Sequence, residues 1–394
     1  MKILLVSSFF PYPLFSGGQV RLYNLIRTLG KKHQITLICE TRKPLTTEET
    51  DALKKYCYKI KTVIRPKQWS IKNIIRTGFS LYPFLLVGHQ NRQMKHILKQ
   101  ELEKEKYEII HVETFYVMQN LPPTSIPTVL VEHNIEYDVY QRWVNNFKLF
   151  VFKPILFLDI LKIKYWENYY WKKADLVVAV SEEEKNIIEN ATGKTVEVVP
   201  NGVDVDYFAD IQRTEPLIPT IVFVGSFKWI QNIDACNFLL KKLWPQIKTL
   251  YGQEIRLRLV GNCIIEKIGK IKDKDVIVEE SVKDIRQVYS SSTVLLAPIR
   301  IGGGTKFKIL ESLASGLPIV TTKKGVEGLG QDTNGIVVCD EEADLVKQTV
   351  KILSLGSKRG EVSRKERIFV KKNFDWTHIA DHLNYIYQKV ANRK

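Results

Sequence analysis

Residues 2–7 read Lys-Ile-Leu-Leu-Val-Ser, apolar at four consecutive positions, the pattern of a strand buried on both faces. The period then changes. Leu22, Leu25, Ile26 and Leu29 recur every three or four positions, which predicts a helix closed by Gly30. Residues 34–39 return to strand, and further strands are predicted over 108–112, 128–132, 176–180 and 196–199. Ser181 and Glu184 form the spacing of a capping box, so a helix starts there. The pattern stops over the Pro-rich, irregular stretch 200–219 and restarts with strands at 220–224, 255–260, 275–279, 293–297, 318–322 and 335–338. Helical segments separate most of them. Alternation of this kind predicts an α/β chain whose sheets are parallel and covered on both faces. Two such runs in tandem predict two Rossmann-like, doubly wound domains facing a central cleft, with ligands at the carboxyl ends of the strands.

The length of 394 residues suits two domains that each bury a core, and 44% hydrophobic with 26% charged residues is ordinary for a globular chain. No fixed short repeat or low-complexity tract interrupts it. The five cysteines, Cys39, Cys57, Cys236, Cys263 and Cys339, are scattered and never spaced C-x-x-C, which argues against a disulfide framework or a zinc site and fits a reducing, cytoplasmic setting. The apolar opening is broken by Pro11, Pro13, Gly17 and Gly18 with no small-x-small cleavage pattern, so a buried strand is expected there and not a signal peptide. The other apolar stretch, 149–165, carries Lys153, Pro154, Asp159, Lys162 and Lys164, too many interruptions for a span of ~20 apolar residues. Segments 66–84 and 139–171 mix basic residues with aromatic and aliphatic ones in a way that would suit a membrane surface. The commoner arrangement is an amphipathic helix packed on its own domain, and that is the expectation for both. A net charge of +16 points to an anionic partner without choosing among nucleic acid, an acidic membrane leaflet and phosphorylated substrates.

The segment with the most chemistry is Gly302-Gly303-Gly304-Thr305-Lys306-Phe307-Lys308-Ile309-Leu310-Glu311, which follows a buried strand and leads into a helix ended by Gly316 and Pro318. Glycines ahead of a helix expose backbone N–H groups and the positive end of its dipole, a geometry that suits a pyrophosphate. Lys306 and Lys308 add positive charge, and Glu311, one turn in, is placed to accept hydrogen bonds from a ribose diol. A flexible turn before a solvated helix would leave the same pattern. Gly17 and Gly18 follow the first strand, with Arg21 just inside the next helix; no G-x-G-x-x-G occurs, which weakens a nicotinamide-enzyme reading. His133 comes directly after the strand over 128–132, where either a site residue or a structural histidine would stand. Asp204-Val205-Asp206 and Asp273-Lys274-Asp275 match D-x-D, but neither has a third ligand at convincing spacing, and both read as structural, so no metal is expected.

With these residues assembled, the chain resembles the family 4 glycosyltransferases, retaining enzymes of the GT-B fold. The resemblance runs nearly end to end. It rests on Gly17-Gly18-x-x-Arg21, on His133-Asn134-Ile135-Glu136, on the segment from Ala174 to Ser181, and on Val199-Pro200-Asn201-Gly202-Val203-Asp204. It continues in Phe223-Val224-Gly225-Ser226, in Ala297-Pro298 leading to the 302–311 segment, and in Phe374-Asp375-Trp376. It implies domains at 1–203 for the acceptor and 204–375 for the nucleotide sugar, with 376–394 a helix returning to the first domain. His133, Lys306 and Glu311 are the implied catalytic residues. Gly17, Gly18, Arg21, Gly225, Ser226, Lys228, Gly303, Gly304, Thr305, Lys306, Phe307, Lys308 and Glu311 are the implied donor-binding residues. The family pattern of two glutamates separated by seven residues is matched only at Glu311, because Gly303 holds the first position. The arginine and lysine that often follow the Gly225 position are Ser226 and Asn232 here. Lys228, Lys306, Lys308 and Arg21 are then the candidates for the diphosphate charge.

The implied chemistry is transfer of a sugar from a donor such as a UDP-sugar or GDP-sugar to an acceptor hydroxyl, with retention, with no metal or other cofactor, in synthesis of a cell-surface polysaccharide or lipid-linked glycan. A cytoplasmic protein with a peripheral contact at an anionic inner membrane face, and without nucleic-acid binding, is expected. Two rivals stand beside this reading. A sugar-nucleotide 2-epimerase shares the architecture and needs no acceptor, whereas a basic membrane- or nucleic-acid-binding protein would use the charge and leave the phosphate-type loop unexplained.

Overall fold

The opening apolar run forms strand β1 (Lys2–Ser7), and every residue of it after Lys2 is buried. The structure, a computed structural model, describes residues 1–145, 147, 149–280, 282–330, 335–356 and 359–392. It divides into two units, Met1–Pro200 with Ala380–Lys394, and Asn201–Ile379.

In the first unit β1 is followed by β2 (Gln34–Thr41), β3 (Lys59–Ile64), β4 (Ile109–Glu113), β5 (Thr128–Val131), β6 (Leu176–Ala179) and β7 (Val196–Val198). They make one sheet in the order β3-β2-β1-β4-β5-β6-β7. In the second unit β8 (Thr220–Val224), β9 (Arg256–Val260), β10 (Val276–Glu279), β11 (Val294–Ala297), β12 (Ile319–Thr321) and β13 (Ile336–Val338) make a sheet in the order β10-β9-β8-β11-β12-β13. All pairings within both sheets are parallel. Each unit therefore has the doubly wound, Rossmann-like order, and in each the order reverses beside its first strand, at β1/β4 and at β8/β11. A topological switch point of this kind leaves a crevice at the carboxyl ends of the two strands, which is where a ligand is accommodated.

The cores follow from the apolar strands. Leu4, Val6, Ile110, Val112 and Leu130 pack with Leu98 and Trp171 in the first unit. Phe223, Leu257, Leu259, Leu295, Ile309 and Leu313 do so in the second. Strand β3 is absent from the sequence expectation because Lys59 and Lys61 interrupt its apolar pattern. It lies at the sheet edge, where charged residues protect an open strand, and both lysines pair with the buried Glu101 at 2.9 and 2.6 Å. Ser181 caps the helix Glu182–Thr192 by accepting from the Glu184 N–H, as the capping-box spacing predicts.

The expectation of amphipathic helices packed on their own domain holds for Lys153–Lys173 in segment 139–171 and is corrected for 66–84. The helix Ile71–Gly78 seats itself through Asn73, which donates to the Lys67 and Gln68 carbonyls, and turns Ile71, Ile74 and Ile75 outward. The helix Lys153–Lys173 buries Ile160, Ile163, Tyr170 and Trp171 on one side and exposes Ile155, Leu158, Leu161 and Tyr165 on the other. Apolar residues occupy both sides of this helix, so its composition alone does not identify the buried face. Among the described residues, no helix is long and apolar enough to cross a membrane.

Candidate functional site

In the first unit the site builds from the ends of β1, β4 and β5. Ser16 caps the helix Gly17–Leu29, which carries Gly17, Gly18 and Arg21 in its first turns. His133 follows β5 by two residues, and its side chain is 16% exposed. A Cβ placed on Gly18 would stand 3.2 Å from His133 Nδ1 and from the Phe9 ring, so a glycine there leaves room for the imidazole. His133 Nε2 is hydrogen-bonded to Glu113 Oε2, at the end of β4. On the other side His111 Nε2 lies 3.2 Å from Glu113 Oε1, and His111 Nδ1 meets the Tyr387 hydroxyl from the last helix, Trp376–Ala391. His111 and Glu113 share one face of β4 because side chains alternate along a strand.

Burial alone would push the Glu113 carboxyl up. The adjoining His133 and His111 outweigh that and hold it well below the usual carboxylate range. An ionised carboxylate only accepts hydrogen bonds, so His133 Nε2 is the donor to Glu113 Oε2. The Tyr387 hydroxyl and His111 Nδ1 share a hydrogen bond, and His133 Nδ1 faces the Gly18 turn. Burial, then the Glu113 charge, push the Tyr387 hydroxyl far above its ordinary value, which suits a donor that keeps its proton. Arg21 is 1% exposed, and one of its guanidinium nitrogens donates to the Pro200 carbonyl at 2.8 Å. Burial lowers its pKa against the pull of Glu113. The structure thus places Arg21 beneath the turn, bracing the chain at residue 200.

The second unit builds its site from the ends of β8 and β11. Gly302 and Gly304 adopt φ of +99° and +66°, and the loop runs into the helix Phe307–Ser315, whose N-cap position is Lys306. Lys306 turns back, donating from Nζ to the Gly303 carbonyl at 2.8 Å and to that of Gly304. Thr305 is buried and reaches the Gly328 carbonyl at 3.4 Å. Phe307 opens the helix half-buried, and Lys308, one residue on, points inward. Its Nζ donates to Asn232 Oδ1 at 2.6 Å and stands 4.2 Å from the centre of the Phe223 ring. Burial, then the like charge of Lys306, bring its ammonium down to about 7, with Glu311 opposing. Glu311 accepts from the Tyr289 hydroxyl at 2.7 Å, and burial raises its carboxyl against the effects of Tyr289 and Lys308.

Gly225 closes β8, and a Cβ there would meet the Asn232 amide at 2.8 Å. Asn232 in turn donates to the Ser226 carbonyl at 2.8 Å, while the Ser226 hydroxyl bonds Asn262 at 2.7 Å. Lys228 is exposed. Asn232, where the resemblance carries a lysine, therefore holds the ammonium of Lys308. A second junction joins distant motif residues of this unit. Val203 N–H donates to the Phe374 carbonyl at 2.8 Å, Trp376 N–H returns to the Val203 carbonyl at 3.2 Å, and Gly202 has no space for a Cβ against Phe374 and the Trp376 ring. Asp204 caps the short helix Val205–Ala209, Asp206 pairs with Lys371, and Asp273 and Asp275 both engage Lys248, so each D-x-D carboxylate has a local structural partner.

Glu113, His111, Tyr387 and Tyr289 escaped sequence reasoning. The available signal was the pair of polar residues in the otherwise apolar run 109–113, whose last residue lies just beyond the predicted strand.

Comparison with known proteins gives a consistent result. The model described as Glycosyltransferase Family 4 matches residues 15–207, and the one described as Glycosyl transferases group 1 matches residues 218–354. Over 389 residues the chain is 23% identical to an uncharacterised 44.6 kDa protein in the cps region of Klebsiella pneumoniae, covering 95% of this chain and 96% of that one. Over 336 residues it is 21% identical to the UDP-Gal:alpha-D-GlcNAc-diphosphoundecaprenol alpha-1,3-galactosyltransferase of Escherichia coli, covering 79% and 77%. Sucrose-phosphate synthase from Thermosynechococcus elongatus superposes over 100% of both chains with a TM-score of 0.70 at 13% identity, a likeness of fold.

Proposed function

The chain belongs to the group 1, family 4 glycosyltransferases and has their GT-B fold, and from that premise we propose that it is a retaining hexosyltransferase using a UDP-sugar in polysaccharide or lipid-linked glycan synthesis. The observation that carries the donor site is the run from the Gly302 turn to Glu311. There a glycine loop, a helix N-terminus, the inward ammonium of Lys308 and the Tyr289-anchored carboxylate of Glu311 fall within ten residues of each other in sequence.

In this reading Glu311 accepts from the ribose diol. The N–H groups of the loop and helix start, with Lys306 and Lys308, bear the diphosphate. The bond from the sugar C1 to the β-phosphate oxygen breaks, the bond from C1 to the acceptor oxygen forms on the same face, and the acceptor proton passes to the departing phosphate. The protein's work is to stabilise charge on the leaving group, a contribution of ~3–4 kcal/mol per key donor. His133 acts through Nδ1 as acceptor for a sugar hydroxyl. Gly17 and Gly18 keep that atom accessible, and Arg21 holds the turn. Gly225, Ser226 and Gly303 line the donor, and Lys228 adds charge at its rim. A UDP donor is supported by the Escherichia coli relative, whose name specifies UDP-Gal and a diphosphoundecaprenol-linked acceptor. The surface-polysaccharide setting is supported by the Klebsiella relative's place in a cps region.

The test is thermal stabilisation by a panel of nucleoside diphosphates on wild type and Glu311→Ala. A ligand that binds only the folded state adds roughly 2.7 kcal/mol at a hundred times its Kd. UDP is expected to stabilise the wild type, and Glu311→Ala is expected to lose most of that shift, since hydrogen bonds to a charged group are worth about 1.5–3 kcal/mol. No shift with any nucleotide would sink the donor site. Appearance of a C2 epimer from donor alone would replace transfer with epimerisation.

A further inference from the structure

Two segments of the first unit, 69–81 and 149–165, leave an unusually large amount of apolar side chain in solvent. In the first, Ile71, Ile75 and Phe79 follow at four-residue spacing, and Ile71 and Phe79 are 78% and 92% exposed. In the second, Val151, Ile155, Leu158, Leu161 and Tyr165 are all exposed at spacings of three or four, one continuous stripe along the helix Lys153–Lys173 and the turn before it. The two segments are held against each other. Lys162 Nζ donates to the Thr77 and Ser80 carbonyls at 2.9 and 2.8 Å, Trp166 Nε1 donates to the Leu81 carbonyl at 3.0 Å, and Tyr82 stacks on Trp166 at 4.4 Å between ring centres. An exposed patch on this scale marks an interaction surface.

The charges around it identify the partner. The two segments carry Lys72, Arg76, Lys153, Lys162 and Lys164 against one acid, Asp159, and Lys67 lies just ahead of the first. That acid is turned inward and accepts from the Phe84 N–H at 2.9 Å. A second copy of the chain meeting this face symmetrically would bring like charges together. An acidic protein would satisfy the charges, but the apolar stripe is backed by lysines along its length, the arrangement of a helix lying in the interface of an anionic bilayer with its cations at the headgroups.

We propose that this face docks the first unit flat on a bilayer rich in anionic phospholipid. The same helix reaches the candidate site from its other side. Its buried Glu167 accepts from the N–H groups of Glu136 and Tyr137 at 2.8 and 3.1 Å, directly after the His133-Asn134-Ile135 segment. The docking face and the segment that follows His133 are therefore held by one helix, which suits an acceptor presented from the membrane; this last step rests on the proposed function, whereas the docking surface does not.

The experiment is sedimentation of the full chain with vesicles of phosphatidylglycerol and phosphatidylcholine, against phosphatidylcholine alone, with UDP stabilisation measured on every variant. Wild type is expected to bind the anionic vesicles and to be released by salt. Ile75→Ser with Phe79→Ser, and separately Lys67→Glu with Lys72→Glu, alter exposed side chains only, and each pair is expected to weaken vesicle binding about tenfold or more while leaving the UDP shift intact. Wild type remaining in the supernatant, or either pair binding as wild type does, overturns the proposal. So does a dimer in sedimentation equilibrium that Phe79→Ser dissociates, because a second copy would then cover the face. A lost UDP response in wild type with vesicle binding intact would remove the donor reading and leave the surface standing.

Discussion

The two units place their candidate residues at the same point of the same fold, yet they assemble them differently. In the second unit the β11/β8 switch point is served mainly by one stretch, 302–311, in which loop, helix start, cations and carboxylate follow one another along the chain. In the first unit the equivalent place beside β1 and β4 gathers Gly18, His111, Glu113, His133 and Tyr387, with the Tyr387–His111 bond spanning 276 positions. A diphosphate is recognised by backbone N–H groups that one helix start supplies. A histidine that must offer one chosen nitrogen needs its other nitrogen fixed by a partner, and that partner comes from a different strand. The difference teaches that the loop and helix start in one half of the chain are encoded locally, whereas the oriented histidine in the other half is set by topology.

The sharpest way to break the comparison is to remove the histidine. His133→Ala is expected to lower kcat on the order of 10²-fold while the UDP shift stays as in wild type. Equal loss of both would reduce His133 to a structural residue and erase the distinction between the halves. Glu113→Gln keeps the shape but removes the charge that fixes the His133 proton on Nε2, and roughly a tenfold fall in kcat is expected, within the range found for such outer partners. A kcat unchanged in Glu113→Gln would detach the polar chain from the transfer step.

The donor half is sharpened by pH. With its ammonium down at about 7, Lys308 loses its proton in the free protein as pH rises past that value, while a bound diphosphate favours the charged form. UDP affinity is therefore expected to fall roughly tenfold between pH 7 and 8.5 in wild type and to stay nearly flat in Lys308→Arg, measured by calorimetry. The sign for stability without ligand is opposite. The folded value lies below the unfolded 10.5, so the unfolded chain binds the extra proton between about 7 and 10.5, and stability from this group rises with pH across that window. A flat wild-type profile would transfer the diphosphate charge to Lys306 or Lys228.

The same contrast explains what was legible beforehand. The doubly wound order was readable because both-face burial makes parallel strands apolar throughout, as in β1 and β11. Edge strand β3 was not, because Lys59 and Lys61 alternate into it to guard the edge and to meet Glu101, which is remote in sequence. Glycines, lysines and Glu311 in the 302–311 stretch could be read together. Tyr289, which anchors Glu311, could not, since a buried tyrosine looks like core until its partner is known. Glu113 fell one residue outside the predicted strand. The segments 66–84 and 139–171 were recognised as amphipathic, but which of their faces points outward depends on where Asn73 and Glu167 find partners, and periodicity does not contain that.

The smallest effect tests whether even the local half is uniform. Gly302, Gly303 and Gly304 look interchangeable in sequence, but only Gly302 and Gly304 sit at φ that L side chains rarely adopt, +99° and +66°. A Cβ on Gly303 would meet nothing within 4 Å. Gly303→Ala is therefore expected to leave Tm unchanged, or to raise it slightly by restricting the unfolded chain. Gly304→Ala forces a side chain into the left-handed region at about 1 kcal/mol, a fall on the order of 2–4 °C for a unit of this size. Position 303 is also where the resemblance carries a glutamate toward the donor sugar, so Gly303→Glu fits the backbone, and its effect belongs in the choice of sugar and not in stability. A Tm loss in Gly303→Ala as large as in Gly304→Ala would mean that the loop needs all three glycines for its shape. Position 303 would then be a structural element of the turn and could not be the place where sugar preference is set.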